Sequence, residues 1–490
     1  MRLLLLLLTA FSALLLAQDD PAPSLTAADV QSVVQNAAAA VNAPMVIAVT
    51  DRVGNILAVF QTPGAPSTAA ANFGIQADAN EVAVALARTA AFFSNNQAPL
   101  SSRTVRFISG IHFPPGIPFT ENAPLYGIEN TNRGCSFNSN FIPGQEVPPA
   151  LSIDRSQPGL GILTGKADLN DSDQFAVNPG GVPLFKQGVL VGGVGVAGVD
   201  PSVAEFAAVS GEAGYGRVVA DPGVIFINGI ALPFVNQTTL PSGYGPGTTD
   251  GNYVVGPLDS RGPAPEGDLI APQDGPLGGL SSDDVSGIVN AVVAEGNLTR
   301  AVIRLPIGSR ARFVIAVADL DGQLLALHRM PDATTFSIDV AVAKARNVIF
   351  FSGANRSDSD LPGVPINTAV TNRTIGFGAQ PLYPPGIDFS MPGAFFSLYQ
   401  FDAMNPCTQG SQLPNPYQNG VVFFPGSLPL YRNGVLVGGL GVSGDGVDQD
   451  DFVTAAGAAG FDAAPSTRAD QIFDQRVRLP YLKFPRNPLD

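Results

Sequence analysis

Tryptophan is absent from this 490-residue chain, histidine and cysteine occur twice each, and only 14% of residues are charged. Each scarcity removes a class of chemistry. A structural zinc site takes four Cys or His ligands and a catalytic one usually three protein ligands, so zinc enzymes and zinc folds have too few donors here. A four-cysteine iron–sulfur cluster is out of reach of one chain. Any Ser-His-Asp arrangement has to use His112 or His328. Basic residues are few as well: 26 Lys and Arg against 41 Asp and Glu give a net charge of −15. Such a surface repels nucleic acid and anionic lipid.

Long apolar runs are missing except at the start. Met1-Arg2 is followed by an apolar stretch from Leu3 to Leu16, then Ala17 and the polar Gln18-Asp19-Asp20. That run is short of the roughly 20 residues a membrane span needs and reads as a secretory signal, residues 1–17. Leu15 is an imperfect fit to its cleavage site. The richest later segment, Gly188 to Val199, is short and full of glycine. The expectation is a soluble protein, secreted or periplasmic, without a membrane span. What the chain does have is 54 Gly, 43 Pro and 45% hydrophobic residues, a composition for compact, loop-rich domains rather than disorder.

The sequence also repeats itself. Gly188 to Val196, GVLVGGVGV, returns as GVLVGGLGV at Gly434 to Val442. Ile47 to Phe60 matches Ile315 to His328, Ala90 to Ser94 matches Val348 to Ser352, and Pro114 to Ile117 recurs as Pro384 to Ile387. Near the ends, Leu232-Pro233-Phe234 matches Leu479-Pro480-Tyr481. Collinear landmarks of this kind mark a duplicated domain. The offset falls from 270 at Pro114/Pro384 to 246 at Gly188/Gly434, so the first copy carries about 24 extra residues, placed within about 144–180. Each copy opens on a capped helix, at Thr26 and at Ser281-Ser282. The copies are set at 24–240 and 279–490, with 241–278, rich in Pro, Gly and Asp, as a linker.

Within a copy the order is helix, hairpin, helix, irregular crossover, hairpin, helix. Val30, Val33, Val34 and Ala37 share a helical face. Two β-rich runs are joined through Asp51 to Asn55, and through Asp319 to Gln323 in the second copy. Helices are expected at about 81–94 and 339–351, and at 203–210 and 451–458. The glycine-rich segment reads as a hairpin, with Asn433-Gly434 a type I′ turn pair. Gly192, Gly193 and Gly195 inside the strand point to a close approach of another backbone or a ligand. The fold class is α/β (α+β): two tandem copies of a mostly antiparallel sheet flanked by helices.

These landmarks together resemble the GlcG/HbpS-like haem-binding family, also described as haem-degrading. The resemblance is carried chiefly by the second copy: His328 to Ala333, then Ser337-Ile338-Asp339, Ala341 to Ala345, and Asn433 to Asp451. The first copy departs from it, with Gln61-Thr62-Pro63-Gly64 where Arg329-Met330 would stand, Leu86 for Lys344 and Ala197 for Ser443. The resemblance implies haem or a related tetrapyrrole as cofactor. An axial ligand in an apolar slot and cations for the propionates are then expected. Strand alternation puts Leu324, Ala326, His328 and Met330 on one face and Leu325, Leu327 and Arg329 on the other. His328 is the first candidate ligand, with Arg329 or Lys344 for a carboxylate. His112, Tyr383 and Arg373 complete the cofactor-binding candidates. A partly exposed structural histidine is the plainer reading of His328, since the first copy has Phe60 there.

The glycine hairpins lack the Gly-Lys-Ser/Thr of a phosphate loop and lie within a strand, so close packing accounts for them better. Asp168, Asn170, Asp171 and Asp173 are oxygen-rich, but they lack the pattern of a calcium loop and read as solvated. Asp445, Asp448, Asp450 and Asp451 are expected to cap and charge-stabilise the start of the last helix. Arg103-Thr104 and Arg373-Thr374 match between copies, for a shared cleft or a buried structural role. Cys135 and Cys407 occupy corresponding loops, and an oxidising compartment favours a disulfide between them, stapling copy to copy. The leading expectation is an exported binding protein. The alternatives are an interaction module whose site has decayed and a haem-degrading or other small-molecule enzyme, with a homo-oligomer open in each case.

Overall fold

Thr26 starts the first helix, α1 (Ala27–Ala40): its hydroxyl accepts the Asp29 amide at 3.2 Å, and the Asp29 carboxylate accepts the Thr26 amide at 2.8 Å. The face carrying Val30, Val33, Val34 and Ala37 is buried, as its spacing predicts. The structure, a computed structural model, describes residues 22–135, 151–155, 157–164 and 179–489. The signal segment and the Asp168 to Asp173 cluster lie outside these.

The first copy continues through β1 (Val46–Asp51), β2 (Ile56–Gln61), a small hairpin β3 (Thr68–Ala70) and β4 (Gln76–Asp78), α2 (Ala79–Phe93) and α3 (Ser102–Phe107). It closes with β5 (Gly181–Lys186), β6 (Val189–Ala197), α4 (Pro201–Gly211) and a second small hairpin, β7 (Phe226–Ile227) and β8 (Ile230–Ala231). Two strands follow, β9 (Asn252–Val255) and β10 (Gly267–Ile270). The second copy runs α5 (Ser282–Leu298), β11 (Phe313–Ala318), β12 (Leu324–Arg329), α6 (Phe336–Ser352), α7 (Asn372–Gly378), α8 (Phe396–Met404), β13 (Ser427–Arg432), β14 (Val435–Gly444) and α9 (Val447–Gly457). A last hairpin is β15 (Phe473–Asp474) and β16 (Val477–Arg478).

The two five-stranded sheets have the same plan, β5-β6-β1-β2-β9 and β13-β14-β11-β12-β10, antiparallel throughout. Register repeats too: Ala48 faces Gly195 as Ala316 faces Gly441. Both glycine-strand hairpins turn on a pair with positive φ, Gln187-Gly188 and Asn433-Gly434, which matches the twist of the strands they join. The segment 241–278, expected as a linker, does more than connect. Its β9 pairs with β2 and its β10 with β12, so it supplies one of the two outer strands of each sheet.

Each sheet is covered on both faces. In the first copy α1 and α4 bury Val33, Val34, Ala204 and Ala207 against one face, and α2 buries Val82 and Leu86 against the other. In the second copy α5 and α9 take the first role, and α6, buried along its whole length, takes the second. The strand glycines allow this. A Cβ on Gly193 or Gly195 would stand 2.3 or 2.1 Å from the carbonyl oxygen of Ala87 or Ala83, and one on Gly439 or Gly441 2.3 or 2.1 Å from that of Ala345 or Ala341. Helix backbone thus lies directly on strand backbone in both copies.

The copies pack on each other through like positions, as at a twofold axis. Cys135 and Cys407 form a disulfide with Cα atoms 5.4 Å apart. Phe119 and Phe389 meet edge to face at 6.0 Å, and Asn130 donates to the Asp402 carboxylate at 3.1 Å. The rest of the contact is asymmetric, with Phe93 of the first copy stacked on Phe336 of the second at 4.1 Å.

Candidate functional site

The six residues singled out for a cofactor do not converge on one site, although Lys344 and Arg373 meet through the adjacent Asp450 and Asp451, and each already has a protein partner. His328 sits on β12 with Nδ1 2.7 Å from Asp268 Oδ1, on the neighbouring β10. Arg329 is fully buried; it donates to the carbonyl oxygens of Ala333 and, at 2.8 Å, Pro265, and burial beside Arg52 pushes its guanidinium down to about 9. Lys344 on α6 donates to Val442 O at 2.8 Å and to Asp450 at 3.0 Å. Arg373 on α7 pairs with Asp448 and Asp451 at 2.6 and 2.5 Å, matching Arg103 on Glu205 in the first copy. The Tyr383 hydroxyl donates to Asp474 O at 3.3 Å. His112 Nε2 lies 2.9 Å from Asp388 Oδ1 of the other copy.

Two expectations change for physical reasons. A bulge between Ala318 and its partner puts Leu324 against α6 and Leu325 on the opposite face with Ala326 and Met330, reversing both from simple alternation. The aspartates before and within α9 do not cap it, its N-cap residue being Gly446 without a side-chain bond, although Asp448 and Asp450 do stand in its first turn. They hold cations instead: Asp445 holds Arg304, Asp448 and Asp451 hold Arg373, and Asp450 holds Lys344. The matched threonines Thr104 and Thr374 are structural, each donating at 2.7 Å to the carbonyl of Pro233 or Pro480 in the twin terminal segments. Among the described residues no group of three or more His, Cys, Asp or Glu is placed to hold a metal.

The large open space lies elsewhere in the second copy. A groove of about 1030 Å³ runs between the C-terminal half of α6, the β11–β12 turn, the β13–β14 hairpin and the loop at 409–417. Ile349, Phe350, Leu413 and Leu436 give it apolar walls, and Tyr417 and Tyr431 contribute aromatic ones. Its base holds Arg346, 2% exposed. The Arg346 Nε donates to Gly322 O at 2.9 Å and its Nη1 to Asn419 Oδ1 at 3.0 Å, while Nη2 is buried without an acceptor. Burial pushes this guanidinium down to about 10. The Tyr417 ring stacks over it at 5.8 Å. The Tyr431 hydroxyl is likewise buried without a partner, and burial raises its pKa to about 12. Unsatisfied buried donors are uncommon and mark places where a partner is missing.

None of these groove residues stood out in the sequence. The available signal was Arg346 itself: the α2–α6 match through Ala90 and Val348 sets Arg88 opposite it, a charge kept at the same position in both copies.

A family model described as "Haem degrading protein HbpS-like" matches residues 25–212 and 297–459, more than half of the chain, once per copy. The chain belongs to this HbpS-like family. The corrinoid adenosyltransferase PduO of Salmonella typhimurium is 29% identical over 153 residues, which are 31% of this chain and 33% of that protein. The chain thus spans about a third of the length of that relative. Among solved structures, the PduOC complex with haem is 22% identical with a TM-score of 0.26, covering 39% of this chain and 98% of that one. A double mutant of Streptomyces reticuli HbpS is 18% identical with a TM-score of 0.21, covering 36% and 83%.

Proposed function

We propose that this HbpS-like chain is an exported binding protein whose second-copy groove takes a tetrapyrrole, haem or a relative of it. The carrying observation is the groove: at about 1030 Å³ it is at the upper end of the roughly 300–1,000 Å³ usual for small-molecule sites, and its lining mixes apolar and aromatic walls with polar side chains such as Asp321, Asn355 and Gln412 around one buried cation. That combination suits a broad, flat, acidic ring. The family's description supplies the class of ligand. The inter-copy disulfide and the apolar N-terminal run support export.

Haem fits the groove through its ring and its carboxylates more than through its iron. No His, Cys or Met is among the lining residues, so Tyr417 and Tyr431 are the side chains there of a kind that holds haem iron. Ile349 and Leu436 would flank the ring, and Arg346 would face its acidic edge. When bound, haem would supply the redox chemistry of its iron.

This composition makes a specific expectation. Titrated into the full chain, metal-free protoporphyrin and hemin should bind with affinities within about tenfold, each with a shifted Soret band. A second reading rests on His328, whose Nδ1 is held by Asp268 in the way a carboxylate orients a metal-binding imidazole. It predicts binding of hemin alone, lost in His328→Ala. That outcome moves the site from the groove to β12, and absence of binding by either porphyrin ends the tetrapyrrole reading.

A further inference from the structure

Arg88 and Arg346 are twins with different fates. Both are buried, at 3% and 2% exposure, and each donates Nε to the carbonyl of its hairpin-turn glycine, Gly54 or Gly322, at 2.9 Å. In the first copy the chain itself then closes over the arginine. Arg88 Nη1 donates to Leu151 O at 2.8 Å, and Ile153 N, two residues on, is fixed to Glu81 on α2 at 2.7 Å.

The second copy also packs against the first-copy counterpart of the groove. Asp332 accepts Arg52 Nη2 at 2.6 Å and the Asn96 amide at 3.1 Å, while the Thr335 amide donates to Phe92 O at 3.0 Å. Arg52 and Phe92 correspond to Leu320 and Phe350, which line the open groove of the second copy.

The second copy has no such plug. Arg346 reaches Asn419 with Nη1 but leaves Nη2 buried and without an acceptor under the Tyr417 ring. Leaving a buried donor without a partner is costly, and a charged one more so, so an arriving oxygen acceptor is favoured there. Carboxylates match the guanidinium fork better than neutral oxygens. The Tyr417 ring has to swing aside to admit one.

We propose that Arg346 anchors a carboxylate of the groove's ligand, and that each chain takes one such acidic ligand, in the second copy only. This rests on the groove reading above and adds its anchor and its stoichiometry. Nη1 has an acceptor in each copy, Leu151 O on Arg88 and Asn419 Oδ1 on Arg346, and it is Nη2 of Arg346 that is left for a ligand's oxygen.

The test compares protoporphyrin with its dimethyl ester, which keeps the ring and removes both charges, on the full chain. The diacid should bind at least about tenfold more tightly than the diester and saturate at one per chain. Arg346→Met should erase that preference, so that diacid and diester bind alike, with a thermal melt reporting whether the variant is folded. Arg88→Met should change neither affinity nor stoichiometry. Equal binding of diacid and diester by the unaltered chain overturns the anchor, and two ligands per chain overturn the closed first copy. Binding of neither porphyrin overturns the groove reading beneath both.

Discussion

Lys344 donates to Asp450 at 3.0 Å inside the second copy, and the first copy holds Leu86 and Ala204 at the same two positions. The exchange is coordinated. Gly426, whose Cβ would press on both Lys344 and Asp450, corresponds to Gly180, whose Cβ would press on Ala204. One fold thus accepts either a buried ion pair or an apolar pair at this point.

It follows that Lys344→Leu alone should destabilise the chain by about 3–5 kcal/mol, because Asp450, whose carboxyl burial already raises to about 7, is left buried without its cation. Lys344→Leu with Asp450→Ala should return to within about 1–2 kcal/mol of the parent. Denaturant unfolding of the three variants measures this, and additive effects would contradict the first-copy analogy.

The glycines make a signed prediction. Gly441→Ala puts a methyl 2.1 Å from Ala341 O, so helix and strand must separate, at a cost of about 3 kcal/mol or more. Gly287, inside α5 with nothing within 4 Å of a Cβ, should gain about 0.5–1 kcal/mol as Ala. Melting temperatures should move in opposite directions.

The Cys135–Cys407 bridge ties loops 272 residues apart in sequence. Replacing both by Ser should lower stability by about 2–5 kcal/mol without abolishing the fold, because the copies also share a buried core. Mass spectrometry of the unreduced protein should find no alkylatable thiol and, if the export proposal holds, a mature start near Gln18.

Stability should also fall as pH rises from about 4 to about 7. Burial raises Asp402 from its ordinary 3.8 to about 7 and Asp339 to about 6. A carboxyl raised in the folded state keeps a proton that the unfolded chain has released, so its contribution is complete below about pH 4 and lost on passing the folded value. Arg432 holds Asp284 down at about 2, a contribution of opposite sign that is lost only in more acidic solution. The melting temperature should be higher at pH 5 than at pH 8, and Asp402→Asn should flatten that slope.

Much of the fold was legible because its signals are periodic or repeated: the Val30, Val33, Val34 face, the paired glycine strands and the turn at Asn433-Gly434. The edge strands β9 and β10 were not, since four residues among prolines and glycines carry too little alternation to be read. The bulge at Leu325 was hidden too, because it changes which side chain faces inward without changing composition. The site was least legible. His328, Arg329, Lys344, Arg373, Tyr383 and His112 attracted notice by residue type, yet type does not reveal that Asp268, Ala333, Asp450, Asp451, Asp474 and Asp388 already engage them. Arg346 differs from Arg88 only in what lies above it, which is a tertiary property.

The most direct measurement is a crystal structure of the full chain soaked with protoporphyrin. It should find one molecule between α6 and the loop at 409–417, with a carboxylate on Arg346 and the Tyr417 ring displaced. A porphyrin seated at His328, or in the first copy against Arg88, would contradict it.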